Sequence, residues 1–178
     1  MAQRADPAGP IPAGADPDDY DRLRRRVLWS LPMGLYLLGS AAGERKNLMT
    51  LNWAMQAAVR PKLLAVSIEK TAVTHELVEQ GGVFSLSLLS PEEKTLVRKF
   101  VKPAEYDPAG PSLNGVAVHT AVTGAPIPTV ARSWLDCRVA HRLKLGSHTL
   151  FTGEVVAVGG GEPFQALRME DTRMSYGG

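Results

Sequence analysis

The segment from Asn47 to His75 holds the side chains best suited to binding a flat ligand with polar edges. Apolar and polar positions alternate from Met49 to Ala57, which predicts one half-buried strand. Its first face carries Met49, Leu51, Trp53, Met55 and Ala57. Its second face carries Thr50, Asn52, Ala54 and Gln56. Since this second face is neutral and can form hydrogen bonds, it suits an uncharged ring. The alternative interpretation is the ordinary outward face of an antiparallel strand.

An anion site is predicted further along the same segment. The apolar run from Leu63 to Ile68 has the length of a central strand and is followed by Lys70 and a helical pattern. Thr71 is the predicted N-cap of that helix, and Gly81-Gly82 is its predicted end. Unpaired amides, the helix dipole and an ammonium group all favour a bound anion. A ring on the first strand and a phosphate beyond the second describe flavin mononucleotide (FMN).

These residues also resemble the flavin reductase family with the FMN-binding split-barrel fold. The matching motifs occur in the family's order and with compatible gaps. They are Met49-Thr50-Leu51-Asn52-Trp53, Pro61-Lys62, Lys70-Thr71 and Gly146-Ser147-His148. The resemblance covers roughly residues 31–158. It implies a mainly β fold with a few helices, an antiparallel split β-barrel with Greek-key topology.

The resemblance implies a set of binding residues and one catalytic residue. Flavin contacts are expected from Met49, Thr50, Leu51, Asn52, Trp53, Gln56 and Ala57. Phosphate contacts are expected from Lys70, Thr71 and Thr74, where Thr74 would replace a serine that relatives have at the position of Ala72. His148 is the implied catalytic residue near the nicotinamide, and Arg173 is expected to close the site. The alternative interpretations are a helix cap with an exposed neighbour for Lys70 and Thr71, a surface histidine for His148, and a frayed end for Arg173.

The activity implied by the resemblance is NAD(P)H-dependent flavin reduction. FMN is the expected cofactor, FAD is its alternative, and NADH or NADPH is the expected electron donor. The family's members are homodimers, and some supply reduced flavin to a monooxygenase. Ser147 replaces the usual aspartate of the Gly-Asp-His motif, which favours a second hypothesis, a flavoredoxin-like electron carrier that does not use NAD(P)H. A third hypothesis is a split-barrel module for another ligand or a protein.

Composition excludes several other classes of protein. The chain has 178 residues, a formal charge of +2 and 44% hydrophobic residues, which indicate a globular domain without a nucleic-acid or membrane partner. Cys137 is the single cysteine, so a disulfide framework is excluded and the cytoplasm is the expected compartment. The same residue is predicted to be buried. The four histidines show no spacing typical of a zinc site.

The remaining elements are predicted from local signals. Residues 1–19 are rich in Pro, Gly, Ala and Asp, which predicts a disordered tail before a domain at residues 20–178. A helix is predicted over Tyr20 to Trp29 and a first strand over Leu31 to Ala42, in which Gly34 marks a bulge or a close approach.

The second half of the chain, from Val83 onward, is predicted to contain several strands and one helix, which ends before Pro103. A strand over Val83 to Leu89 would face Phe84 inward and Ser85 and Ser87 outward. A capping box is predicted at Ser90-Pro91-Glu92-Glu93. Residues 103–133, rich in Pro and Gly, are interpreted as either a lid or a surface loop. The last strand pair is predicted at residues 134–143 and 149–158.

Overall fold

The computed structural model describes residues 9–177 and divides the chain into two units. The smaller unit takes in the described parts of residues 1–32 and 173–178. Its helix α1 spans Pro17–Trp29 and begins at Asp16, whose carboxylate accepts hydrogen bonds from two amides of the first turn. The helix therefore starts three residues before the predicted Tyr20. The predicted tail lies partly outside the described residues, and its last three residues belong to α1.

The larger unit, Met33–Thr172, is mainly β-structure, as predicted. It contains helix α2 (Val73–Gly81) and short 3₁₀ turns at Pro91–Glu93, Leu96–Phe100 and Met169–Asp171. Its strands are β1 (Tyr36–Ala42), β2 (Arg45–Leu51), β3 (Ala54–Ala58), β4 (Leu63–Glu69), β5 (Val83–Leu88), β6 (Tyr106–Asp107), β7 (Ser112–Leu113), β8 (Val116–Thr120), β9 (Pro126–Pro128), β10 (Ser133–Leu145) and β11 (His148–Gly160). No helix in the described part of the chain is long and apolar enough to span a bilayer.

Seven antiparallel strands form the main sheet in the order β2-β1-β5-β10-β11-β4-β3. Consecutive strands β2 and β3 lie at opposite edges, although only Asn52 and Trp53 connect them. A flat sheet of this size would place its edges roughly 29 Å apart. The chain from Leu51 to Ala54 reaches at most about 11 Å. The sheet must therefore curl until its edges are close, and no ladder joins β2 to β3 within the described strands.

The connection between β2 and β3, which we call the corner (Asn52 and Trp53), shows that the prediction of one strand from Met49 to Ala57 is wrong. The structure ends β2 at Leu51 and begins β3 at Ala54. The side chains keep alternating through the corner, so the sequence pattern does not mark it. The residues expected to share one binding face consequently lie on two strands at opposite edges of the sheet.

The core lies inside the curled sheet and beneath α2. Phe84 and Phe151 are fully buried there, beside Val78 of α2. Helix α2 ends at Gly82, which has the left-handed conformation (φ 66°) that glycine adopts easily. This confirms the predicted helix end. Its N-cap is Ala72 and not the predicted Thr71.

A second sheet, β6-β7-β8-β9, covers the outer face of β1 and β5. The Ser85 hydroxyl donates a hydrogen bond to the Pro126 carbonyl at 2.7 Å. Ser85 and Ser87 point away from the core inside the curled sheet, as predicted, but both are fully buried under the second sheet. Residues 103–133 are therefore not a plain loop, and their role as a lid stays a prediction. Their strands of two to five residues are too short to give a periodic signal.

Two local predictions are confirmed with changes in length. Strand β1 starts at Tyr36 and not at Leu31, and the Tyr36 hydroxyl lies 2.0 Å from the position a Cβ on Gly34 would take. The expected close approach at Gly34 is thus present. The Glu93 carboxylate accepts a hydrogen bond from the Ser90 amide at 2.7 Å, which is one of the two bonds of the predicted capping box, and the segment that follows is a 3₁₀ turn.

Cys137 is fully buried, as predicted. Burial, with a smaller contribution from the Asp136 carboxylate, raises the pKa of the Cys137 thiol to about 12. We expect a thiol reagent to label the folded protein very slowly at neutral pH and to label it rapidly in denaturant. Because the chain has one cysteine, the labelled fraction measured by mass spectrometry reports on this site alone. Rapid labelling of the folded protein would contradict this burial.

Candidate functional site

The structure brings Trp53, Lys70 and His148 together at one end of the sheet. His148 begins β11 and is the cross-strand partner of Glu69, the last residue of β4. The ring centroids of Trp53 and His148 are 4.8 Å apart, with the planes tilted by 51°. Three residues singled out separately in the sequence therefore form one cluster, which we call the corner cluster (Trp53, Lys70 and His148).

Lys70 contacts the turn between β10 and β11 through both its side chain and its main chain. Its Nζ donates a hydrogen bond to the Gly146 carbonyl at 2.6 Å, and its amide donates to the Ser147 carbonyl at 3.0 Å. The side chain is nevertheless exposed. An ammonium group has three protons to donate, so this contact leaves donor capacity for an anion.

The His148 imidazole is held by its neighbour in the chain. Ser147 Oγ lies 2.8 Å from His148 Nδ1. A hydroxyl can donate or accept, so this contact is compatible with either neutral tautomer, whereas an ionised aspartate would only accept. Partial burial lowers the pKa of His148, the Glu69 carboxylate opposes that shift and the Lys70 ammonium adds to it. The imidazole is therefore mainly neutral at pH 7.

The start of α2 lies directly after Lys70. Ala72 at the N-cap has no side chain that could accept a hydrogen bond from the first amides of the helix. Thr71 is exposed beside it. These features are compatible with an anion at this helix end.

Thr74 has a different place from the one predicted. It is 1% exposed, and its Oγ1 accepts a hydrogen bond from Asn47 Nδ2 at 2.7 Å. The same Asn47 side chain accepts a hydrogen bond from the Ala104 amide at 2.8 Å. Thr74 therefore faces the interior, and we do not assign it a direct phosphate contact. Its hydroxyl instead connects the first turn of α2 to β2.

The residues of the predicted ring-binding face have separate environments. In β2, the Thr50 hydroxyl donates to the Val97 carbonyl at 2.5 Å, and Leu51 faces the core. Asn52 is buried, and its amide contacts the Met33 sulfur at 3.2 Å. Met49 is half-buried against the core.

The edge strand β3 has a different environment. Its exposed residues are Met55, Gln56 and Ala57. Only the β3 part of the predicted face is therefore open to a ligand through its side chains.

Arg173 is the predicted site residue that the larger unit does not contain. Arg173 belongs to the smaller unit and is exposed, so its role in closing the site stays a prediction. The described residues contain no group of three side chains able to hold a metal ion.

Asn47 is a structural residue of the site that sequence reasoning missed. It occupies the same face of β2 as Met49 and Leu51, which are apolar. An amide on an otherwise apolar face usually has buried hydrogen-bond partners, and this signal was present in the sequence.

Comparisons with known proteins identify the family. The model of the flavin reductase like domain matches residues 28–176. A ferric-chelate reductase (NAD(P)H) from Archaeoglobus fulgidus is 31% identical over 134 residues, which are 73% of this chain and 77% of that protein. Diflavin flavoprotein A 1 from Synechocystis sp. is 31% identical over 68% of this chain, but the match spans only 21% of that longer protein. The chain thus spans less than a quarter of the diflavin relatives it matches.

A solved structure gives the same result for the fold. The styrene monooxygenase flavin reductase from Pseudomonas putida S12 superimposes with a TM-score of 0.66 at 30% identity, over 79% of this chain and 88% of that one. With the family model matching most of the chain, this chain belongs to the flavin reductase-like domain family.

Proposed function

We propose that this protein is an NAD(P)H-dependent flavin reductase that binds FMN. The observation that carries the proposal is the corner cluster, in which an exposed ammonium group lies beside a neutral histidine whose ring contacts the Trp53 ring. Family membership supports an oxidoreductase acting on flavin. Two of the similar proteins are themselves named as reductases, one with NAD(P)H in its name and one as a flavin reductase.

The residues present fit a flavin nucleotide. Lys70 and Thr71 are exposed beside the uncapped start of α2, which suits a doubly charged phosphate. Gln56 and Ala57 lie on an edge strand, where one side of the main chain has no neighbouring strand in the sheet. Such main-chain groups suit the polar edge of the ring. Trp53 is the further ring contact that we propose through a side chain, whereas Met49, Thr50, Leu51 and Asn52 would contribute through main-chain atoms.

The protein's share of the chemistry is binding and orientation. Hydride acceptance is the reaction that a bound flavin supplies. Lys70 and Thr71 would bind the phosphate and thereby fix the register of the ring along β3. His148 would offer a neutral imidazole for hydrogen bonding, oriented by Ser147 and by the Trp53 ring.

We also propose a homodimer, a cytoplasmic location and transfer of reduced flavin to a separate monooxygenase component, with FAD as an alternative flavin. The styrene monooxygenase flavin reductase, which this chain resembles, supports such a partner. Size-exclusion chromatography with light scattering tests the dimer directly.

The test of the main proposal is a titration of apoprotein with FMN, followed by anaerobic addition of NADH and, separately, NADPH. We expect FMN to bind and its visible absorption band to bleach with at least one of the two donors. Binding of FMN without bleaching by either donor would contradict the reductase proposal.

The contact between Ser147 and His148 favours a second candidate function. Ser147 places a neutral hydroxyl at His148 Nδ1, where the aspartate of the family motif would place a negative charge. If the nicotinamide needs that charge, the protein would be a flavoredoxin-like electron carrier. Retained FMN that is reduced by dithionite but not by NADH or NADPH would support this candidate.

A further inference from the structure

Lys70 connects the expected phosphate site to the turn that precedes His148. The ammonium group is expected to bind a phosphate. In the structure it donates to the Gly146 carbonyl at 2.6 Å, in the turn that leads into His148. The Lys70 amide holds the next carbonyl of the same turn, that of Ser147. Lys70, the residue directly after β4, thus donates hydrogen bonds to two consecutive carbonyls.

These two hydrogen bonds restrain the residues that precede His148. The turn is short, because β10 ends at Leu145 and β11 begins at His148. Gly146 has a positive φ of 25°, and its Cβ position has nothing within 4 Å, so packing against a side chain does not restrain it. Gly146 and Ser147 are both exposed. The main chain of His148 is paired with Leu145 and with Glu69, and the two hydrogen bonds from Lys70 add a restraint on the turn residues directly before it.

We propose that Lys70 is a positioning residue for His148: its ammonium group holds the Gly146–Ser147 turn and so keeps the His148 ring against Trp53. This inference deepens the proposed function and rests on it where flavin is concerned. One proton of the ammonium serves the Gly146 carbonyl and the other two remain for the phosphate, so the group can do both at once. Binding of the phosphate would restrain the Lys70 side chain and strengthen its hold on the turn.

The first test uses NMR on the flavin-free protein and does not depend on catalysis. Because the His148 ring lies 4.8 Å from the Trp53 ring, its carbon-bound protons should carry a ring-current shift. We expect Lys70→Met, which keeps the aliphatic stem, to move these resonances toward the values of a solvated histidine. Lys144→Met is the matched control, since Lys144 is an exposed lysine at the end of β10. Unchanged His148 shifts in Lys70→Met would overturn the proposal.

The second test separates positioning from phosphate binding. Riboflavin lacks the phosphate, so a lysine that only binds phosphate should not affect its reduction. We expect Lys70→Met to lower kcat with riboflavin about fivefold, the effect typical of one lost hydrogen bond. Lys70→Arg should restore most of it. If Lys70→Met raises only the KM for FMN and leaves riboflavin turnover unchanged, the positioning role is wrong. If the wild-type protein reduces neither flavin, the proposed function fails, whereas the NMR shifts still decide the position of His148.

Discussion

Replacing Asn47 with leucine is expected to lower the free energy of unfolding by about 2–4 kcal/mol. Asn47 is 3% exposed, and its side chain donates to Thr74 and accepts from the Ala104 amide. Leucine has a similar volume but offers neither bond, so the buried Thr74 hydroxyl and the amide of the half-buried Ala104 lose their partner. Denaturant unfolding measures the change, and an unchanged m value would show that the unfolding transition itself is the same.

A matched control distinguishes these bonds from burial of polar atoms in general. Ser87 is fully buried, and its hydroxyl has no hydrogen-bond partner among the described residues. Ser87→Ala is therefore expected to be neutral or slightly stabilising. Equal losses in both variants would contradict the role assigned to Asn47. Since Thr74 is in the first turn of α2, the Asn47 variant should also loosen the helix start next to Lys70.

The sequence identified residues that the structure brings together, but it did not predict the strands that carry them. Lys70 and His148 were singled out by motifs in the right order, and the structure places both in the corner cluster. The strand that should bind the ring was predicted as continuous because its side chains alternate through Asn52 and Trp53. A corner between two sheet edges depends on which strands pair across the sheet. Local alternation contains no information on such long-range pairing.

Burial of polar residues also depended on contacts that are distant in the chain. Thr74 was expected to replace the phosphate-binding serine that relatives have at the position of Ala72, but its hydroxyl faces inward and accepts a hydrogen bond from Asn47 of β2. Ser85 was expected to be solvated, but β9 covers it from a segment 41 residues away. The end of α2 at Gly81-Gly82 and the contact between Ser90 and Glu93 were predicted correctly, because those signals arise from neighbours in the sequence.

Replacing Gly39 with alanine is expected to destabilise the fold by about 3 kcal/mol. Gly39 lies in β1 where the second sheet packs on the first, and a Cβ there would meet the Pro126 carbonyl oxygen at 2.0 Å and Ser85 Oγ at 2.4 Å. The first of these atoms belongs to the main chain of β9, so a side-chain rotation cannot relieve the contact. The added methyl group must therefore move β9 away from β1 and break the hydrogen bond between Ser85 and Pro126.

Two further variants distinguish the steric conflict at Gly39 from the loss of the hydrogen bond and from the change of glycine to alanine itself. Ser85→Ala removes the same hydrogen bond without the steric conflict, so we expect it to cost about 1 kcal/mol, less than Gly39→Ala. Gly110→Ala is the matched control, because a Cβ at Gly110 meets nothing within 4 Å and its φ is not positive. That change should leave stability the same or raise it slightly, since alanine restricts the unfolded chain. Equal stability of the Gly39 and Gly110 variants in denaturant unfolding would mean that the two sheets do not pack as closely as the structure has them.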